Sequence, residues 1–207
     1  MASIELPDPR TDGSTSVERT IATRESRRTF ADSPVTLEDA AQLLWAAQGI
    51  THHREGVPMR TAPSAGATYP LECFLEVDTD GVEGLDAGLY RYDPTAHALS
   101  QQRDEAIHEE LVGAALDQPV VRGAPATIVV AADDDRTRSQ YPDHGERYVH
   151  MEAGHAAQNV HLVGESLGLA SCPVGAFRDA ELNDVLGLPS ALEALYLLPF
   201  GRRVSSD

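Results

Sequence analysis

The chain has 207 residues, 42% of them apolar, which is enough for one compact domain with its own core and too apolar for wholesale disorder. Thirty-three acidic residues stand against sixteen basic ones, a formal net charge of −17, and all sixteen are arginine. That balance excludes a nucleic-acid binder, which needs a basic footprint, and it disfavours anionic membranes.

Residues 1–15 are polar, contain two prolines and read as an N-terminal arm ahead of a single domain over 16–207. Residues 16–26 are a short helix candidate. Thr36 is a good N-cap for a second helix, with Leu37, Ala40, Ala41, Leu44 and Ala47 at helical spacing and Gly49 ending it. Residues 51–62 read as a polar loop. Leu71–Val77 reads as a strand with Leu71, Cys73, Leu75 and Val77 on one face, and 88–92 with 97–100 as a hairpin around Asp93-Pro94. Residues 104–116 read as helix, Ala126–Ala132 as a buried strand, and 133–145 as a long loop, a class of segment that is usually functional. A long helix over 146–168, a short one over 179–186 and a last strand over 194–200 complete the series. Helices and strands do not alternate regularly, so the class is α+β.

No run approaches the ~18 apolar residues of a membrane span, and the N-terminus lacks a signal pattern, so a cytoplasmic protein is expected. Cys73 and Cys172 form no Cys-x-x-Cys, which removes disulfides and zinc knuckles as organising principles. Acid excess without lysine resembles the proteomes of salt-accumulating halophiles. A GC-rich genome would account for the arginines, but less well for the acids.

Gly164-Glu-Ser166-Leu-Gly168 matches a nucleophile-elbow pattern, but it lies in a helical segment with no strand before it. His150, His155 and His161 share a helix at spacings of five and six, which do not converge on a metal; solvated or capping roles suit them better. No G-x-G-x-x-G is present. A different constellation remains. Arg24-Glu-Ser26-Arg-Arg28 and Gly201-Arg202-Arg203 concentrate guanidinium groups, the natural bidentate partners of phosphate, in an acidic chain. Two loops of small residues, Pro63–Pro70 and Ser171–Phe177, would let a planar ligand approach the backbone.

In order and spacing these segments resemble the FMN-dependent nitroreductase superfamily, and within it the SagB-type, azoline-oxidase-like dehydrogenases. The resemblance is carried by Arg24–Phe30, Leu43–Gly49, Arg60–Gly66 with Tyr69-Pro70, Gly88–Tyr92, Glu152–Asn159, Leu167–Leu169 and Phe200–Arg202. It implies a nitroreductase-like α+β fold, a mostly antiparallel sheet flanked by helices, in a homodimer with FMN at the interface. Arg24 and Arg28, with Arg202 or Arg203, would hold the phosphate and ribityl end, and Ser26 the ribityl chain or pyrimidine. Pro63, Ser64, Ala65 and Gly66 would pass along the isoalloxazine, while Pro173, Val174 and Gly175 would present main-chain groups to it. Ala67 stands where many nitroreductases carry asparagine; SagB-like relatives share small residues there.

The activity implied is an FMN-dependent oxidoreductase exchanging a hydride with a small organic substrate or a nicotinamide donor, NAD(P)H, by ping-pong turnover. The alternative is a flavin-binding protein without turnover, acting as scavenger or partner subunit. SagB-type azoline oxidases carry a Lys-Tyr pair before the long helix; here Gln140 replaces the lysine and Tyr141 remains. A glutamine is no general base, so unaided azoline oxidation is not expected. Tyr141 is either a proton donor or acceptor tuned by Arg138 or Arg147, or an aromatic anchor for the 133–145 segment.

Overall fold

A computed structural model describes residues 3–204. Its first strand, β1 (Ser3–Glu5), pairs with residues 98–100, so this part of the arm is an edge strand rather than a frayed end. Helix α1 (Val17–Thr23) starts where Ser16 Oγ accepts from the Arg19 N–H. Helix α2 (Leu37–Gln48) starts where Thr36 Oγ1 accepts from the Asp39 N–H and stops at Gly49, as its spacing predicts.

The expected loop at 51–62 is instead a hairpin, β2 (Ile50–Arg54) and β3 (Val57–Arg60). Its turn, Glu55-Gly56, takes positive φ at both residues, the geometry that suits strand twist. Because the hairpin is mostly exposed and polar, it lacks the alternation that marks a half-buried strand.

Strands β4 (Leu71–Val77), β5 (Gly88–Asp93) and β6 (Ala98–Arg103) follow, then helices α3 (His108–Ala114) and α4 (Pro119–Arg122). Strand β7 (Ala126–Ala132) is buried along its whole length. The expected long loop after it contains a helix, α5 (Asp134–Arg138), whose charged sequence hides its period. Helix α6 (Gly145–Ser166) is the longest element; β8 (Leu169–Ser171), α7 (Asp179–Leu186) and β9 (Glu193–Arg202) complete the fold.

Seven strands form one antiparallel sheet in the order β1-β6-β5-β4-β7-β9-β8. One face packs on α2 and α6 through Leu71, Cys73, Leu75, Val77, Ile128 and Val130. The other packs on α3, α4 and α7 through Phe74, Leu89, Val129 and Leu197. Strands covered on both faces read as continuous apolar runs, which is why β7 stands out in the sequence. Among the described residues no helix is long and apolar enough to cross a membrane, and no group of three or more metal-binding side chains exists.

With a net charge of −17, self-repulsion should weaken the fold at low ionic strength. The melting temperature is expected to rise between about 0.1 M and about 2 M KCl as screening tightens. A flat or falling curve in differential scanning calorimetry would remove the halophilic reading.

Candidate functional site

Helix α6 is the shared floor of the segments picked out in the sequence. At its C-terminal half, residues 24–31 run along the outer edge of β8 and the end of β9. The Arg27 N–H donates to Ser171 O at 3.0 Å and the Ala31 N–H to Arg202 O at 2.9 Å. This brings Arg24, Ser26 and Arg28 to the same edge as Arg202 and Arg203.

The arginines there are not equivalent. Arg27 and Arg203 donate to Glu165 Oε2 at 2.6 and 2.7 Å, and Arg203 Nε also donates to Leu169 O. Burial works against the Glu165 carboxylate, but hydrogen bonds from Thr23, Arg27 and Arg203 hold it below its usual range. Arg202 donates through Nε to Pro34 O and lies 3.7 Å from Asp39. Among the described residues Arg24 forms no salt bridge. Its guanidinium lies 2.8 Å from His161 Nε2, and His161 Nδ1 lies 2.5 Å from Ser171 Oγ. Because arginine only donates, Nε2 must be the acceptor, so Nδ1 carries the proton and gives it to Ser171. Burial, then the Arg24 charge, depress His161 to about 4, so the ring is neutral and its tautomer fixed. Arg28 is exposed, and among the described residues its guanidinium hydrogen-bonds only Ser26 O, at 3.4 Å. Ser26 is exposed beside it.

The sequence places His161 among solvated or capping histidines. The structure corrects this, burying it to 5% exposure beneath Arg24. The signal was its position four residues after Ala157, on the buried face of α6.

At the other half of α6 sits the small-residue loop. Glu152 is 3% exposed with its Oε1 buried and unpartnered, beside a loop in which Ser64 Oγ accepts from the Tyr69 N–H at 2.9 Å. Burial raises the Glu152 carboxyl to about 7, against the pull of Ser64 and the Arg60 charge. Pro63 and Gly66 are exposed, Ala65 half-buried, and the turn Ala65–Ala67 carries Gly66 at φ 60°. At φ 60° a side chain on Gly66 would be strained, and its Cβ would press on the ends of the Gln140 and Tyr141 side chains, 2.4 Å from Gln140 Oε1 and 2.9 Å from the Tyr141 hydroxyl. Tyr141 packs edge-on against Tyr148 at 5.2 Å.

The third segment, Pro173–Gly175, leaves β8 and is pinned by Val174, which exchanges backbone hydrogen bonds with Leu197 at 2.8 and 2.9 Å. Val174 is buried and Gly175 exposed. Along α6, Glu152 and His161 are nine residues and about 14 Å apart at 1.5 Å per residue. Near the C-terminal end of α6, helices α1, α2 and α6 leave an apolar groove of about 450 Å³, lined by Val17, Trp45, Leu162 and Val163. Val17, in its lining, is 65% exposed, and Ile21 on the same helix is 58% exposed. Ser166, in the nucleophile-elbow match, ends α6 and donates to Val163 O at 2.8 Å, so no strand-to-helix elbow presents it.

The sequence pattern of the Nitroreductase family matches residues 21–202. A Methanocaldococcus jannaschii protein named as a nitroreductase is 41% identical over 201 residues, 97% of this chain and 96% of that one. The microcin B17-processing protein McbC of Escherichia coli is 27% identical over 157 residues, 73% of this chain and 57% of its own length. A crystal structure from Ralstonia eutropha, titled as a nitroreductase, superposes with a TM-score of 0.81 at 28% identity, covering 99% of this chain and 90% of that one. The chain thus belongs to the nitroreductase family and is an oxidoreductase of a flavin-dependent kind.

Proposed function

We propose that two copies of this chain bind FMN between them and pass a hydride between a nicotinamide donor and a small organic acceptor, one reactant leaving before the next arrives. The observation that carries this reading is Arg24, oriented by a neutral His161 and in no salt bridge among the described residues, with Arg28 beside it, in a chain of net charge −17. Such uncompensated guanidinium groups suit a phosphate dianion. When bound, the flavin supplies the hydride chemistry.

The chain's own residues bind and orient. Arg24 and Arg28 hold the phosphate, with Arg202 or Arg203 closing the same edge and Ser26 reaching the ribityl chain or pyrimidine. Pro63, Ser64, Ala65 and Gly66 lie along the ring as bare backbone, and Pro173, Val174 and Gly175 offer main-chain groups to it. Tyr141, over Gly66, holds or moves a proton at its hydroxyl.

Protein loaded with FMN and mixed anaerobically with NADH or NADPH is expected to lose its flavin absorbance and regain it on adding a nitroaromatic or quinone. Bound FMN that neither nicotinamide bleaches would leave a flavin binder without turnover. Tyr141→Phe is expected to lower steady-state turnover by about 10²-fold while keeping the flavin. An unchanged rate would leave Tyr141 only as an anchor.

The apolar groove between α1, α2 and α6 suits a second copy of the chain, as family members are typically dimeric. Light scattering on the FMN-loaded protein should give twice 22.3 kDa. A monomer that keeps its flavin would refute the dimer.

A further inference from the structure

Two polar side chains on the buried face of α6 serve opposite ends of the site. His161 orients Arg24. Glu152 lies beside the small-residue loop, 3% exposed, with Oε1 buried and without a hydrogen-bond partner. Burying an acid whose oxygens lack donors is costly, so filling space does not by itself account for a carboxyl at this position.

The loop itself is held in an uncommon shape. Gly66, Ala67 and Tyr69 have φ of 60°, 53° and 46°, the left-handed region that L side chains rarely adopt. Such a backbone persists only where its surroundings over-determine it. Thr68 ties it to α5 through Thr137, the two hydroxyls 2.8 Å apart, and Arg136 donates to Tyr69 O at 3.3 Å. Tyr69 has two further anchors. Its N–H donates to Ser64 Oγ at 2.9 Å, and its ring lies 4.7 Å from the Arg60 guanidinium. Ser64 and Arg60 are also the two groups that act on the Glu152 carboxyl, both favouring its charged form, and Glu152 in turn supports the Arg60 charge. One buried acid therefore faces both anchors of the same residue.

We propose that Glu152 is a positioning residue for the small-residue loop: as a carboxylate it braces Ser64 and Arg60, and through them Tyr69, and on taking up a proton it releases both. A carboxylate only accepts, so Ser64 turns its hydroxyl proton toward it and keeps its oxygen for the Tyr69 N–H. A carboxylic acid brings a proton of its own, which competes with that N–H for Ser64 Oγ, and it no longer offsets the buried Arg60 charge. Burial raises the Glu152 carboxyl to about 7, so the exchange falls near neutrality. Around it, Arg60 of β3 is the charge that acts on it, Gln48 of α2 is uncharged, and Cys73 of β4 is a neutral thiol raised to about 12 by burial. Arg136 of α5 acts on Arg60. The brace is complete above about pH 8 and is lost as pH falls through 7 toward 6. Its consequence for FMN rests on the flavin reading above, in which Pro63–Gly66 lie along the ring.

Amide NMR of the flavin-free full chain from about pH 5.5 to about pH 8.5 reads the loop directly. The Tyr69 and Gly66 amides are expected to titrate with a midpoint near 7 and to lose that transition in Glu152→Gln. Histidines titrate in the same range but remain in that variant, so a transition that survives there is theirs. If Glu152→Gln does not fold, Ser64→Ala serves, because without Oγ the Tyr69 amide should stop following the transition. FMN affinity, by fluorescence titration, is expected to be about equal in wild type and Glu152→Gln at pH 6 and about tenfold higher in wild type at pH 8. The phosphate's own titration is common to both proteins and cancels in that ratio. A titrating loop with a ratio that ignores pH would refute the placing of FMN along this loop and leave the hold of Glu152 on it standing. Silent Tyr69 and Gly66 amides, or a transition that survives in the variants, would overturn the proposal whether or not FMN binds.

Discussion

Arg24→Ala is expected to weaken FMN binding by about tenfold or more, read by fluorescence titration of the apoprotein. A charge-assisted phosphate hydrogen bond is worth about 1.5–3 kcal/mol, and every 1.4 kcal/mol is tenfold in Kd. Arg24 should matter more than Arg28, because it is already oriented by His161 whereas Arg28 is exposed and must be ordered on binding. His161→Ala should therefore reproduce part of the loss without removing any charge. Unchanged affinity in both Arg24→Ala and Arg28→Ala would end the phosphate assignment. Acid adds a second readout. His161 is neutral when folded, at about 4, against a usual value near 6.5, so the unfolded chain binds the extra proton between those values. That contribution to stability is present above about pH 6.5 and is lost as pH falls toward 4.

Glu76→Ala should be the most destabilising of the substitutions considered, by about 3–5 kcal/mol in urea unfolding, because it strands one half of a buried pair. Glu76 is 0% exposed on the α3 side of the sheet, 3.1 Å from His108 Nδ1, and His108 Nε2 donates to Arg122 O. Burial opposes the charge on His108, but the Glu76 hydrogen bond and carboxylate raise it to about 9. The native state thus holds a proton that the unfolded chain has released above about pH 6.5. Stability from the pair is complete below that pH and declines as pH rises through about 9, the opposite sense to His161. Wild-type melting temperature should fall between pH 7 and 9.5 more steeply than that of His108→Gln, where both curves are folded. Parallel curves, or a cost for Glu76→Ala under about 1 kcal/mol, would show that the pair carries no such burden.

Much of the fold was legible because its central elements bury apolar residues with a clear period. Helix α2, β4, β7 and α7 lie where capping and spacing put them. Short or exposed elements were not legible. The β2–β3 hairpin is mostly exposed, α5 is a charged single turn, and β8 is an edge strand of only three residues. The arginine segments and small loops were visible in composition alone. What composition could not supply was which arginines are already paired: Arg27 and Arg203 share Glu165, while Arg24 leans on a neutral ring. Nor could it assign Glu152 and His161 to the site, since each is a polar residue on the buried stripe of α6 whose partners lie on distant segments.

The position of β9 sets the order in which the molecule can be assembled. It lies between β7 and β8 as a central strand, pairing Ala126 with Phe200 and Leu169 with Arg202. Both neighbours leave the ribosome earlier, so until residues 193–202 emerge one edge of the mostly apolar β7 has no partner. Long-range pairing of this kind is slow, and an open apolar edge invites association with other chains. Synthesis of this protein therefore passes through an interval of aggregation risk that closes only when its last described strand slots in between β7 and the edge strand β8.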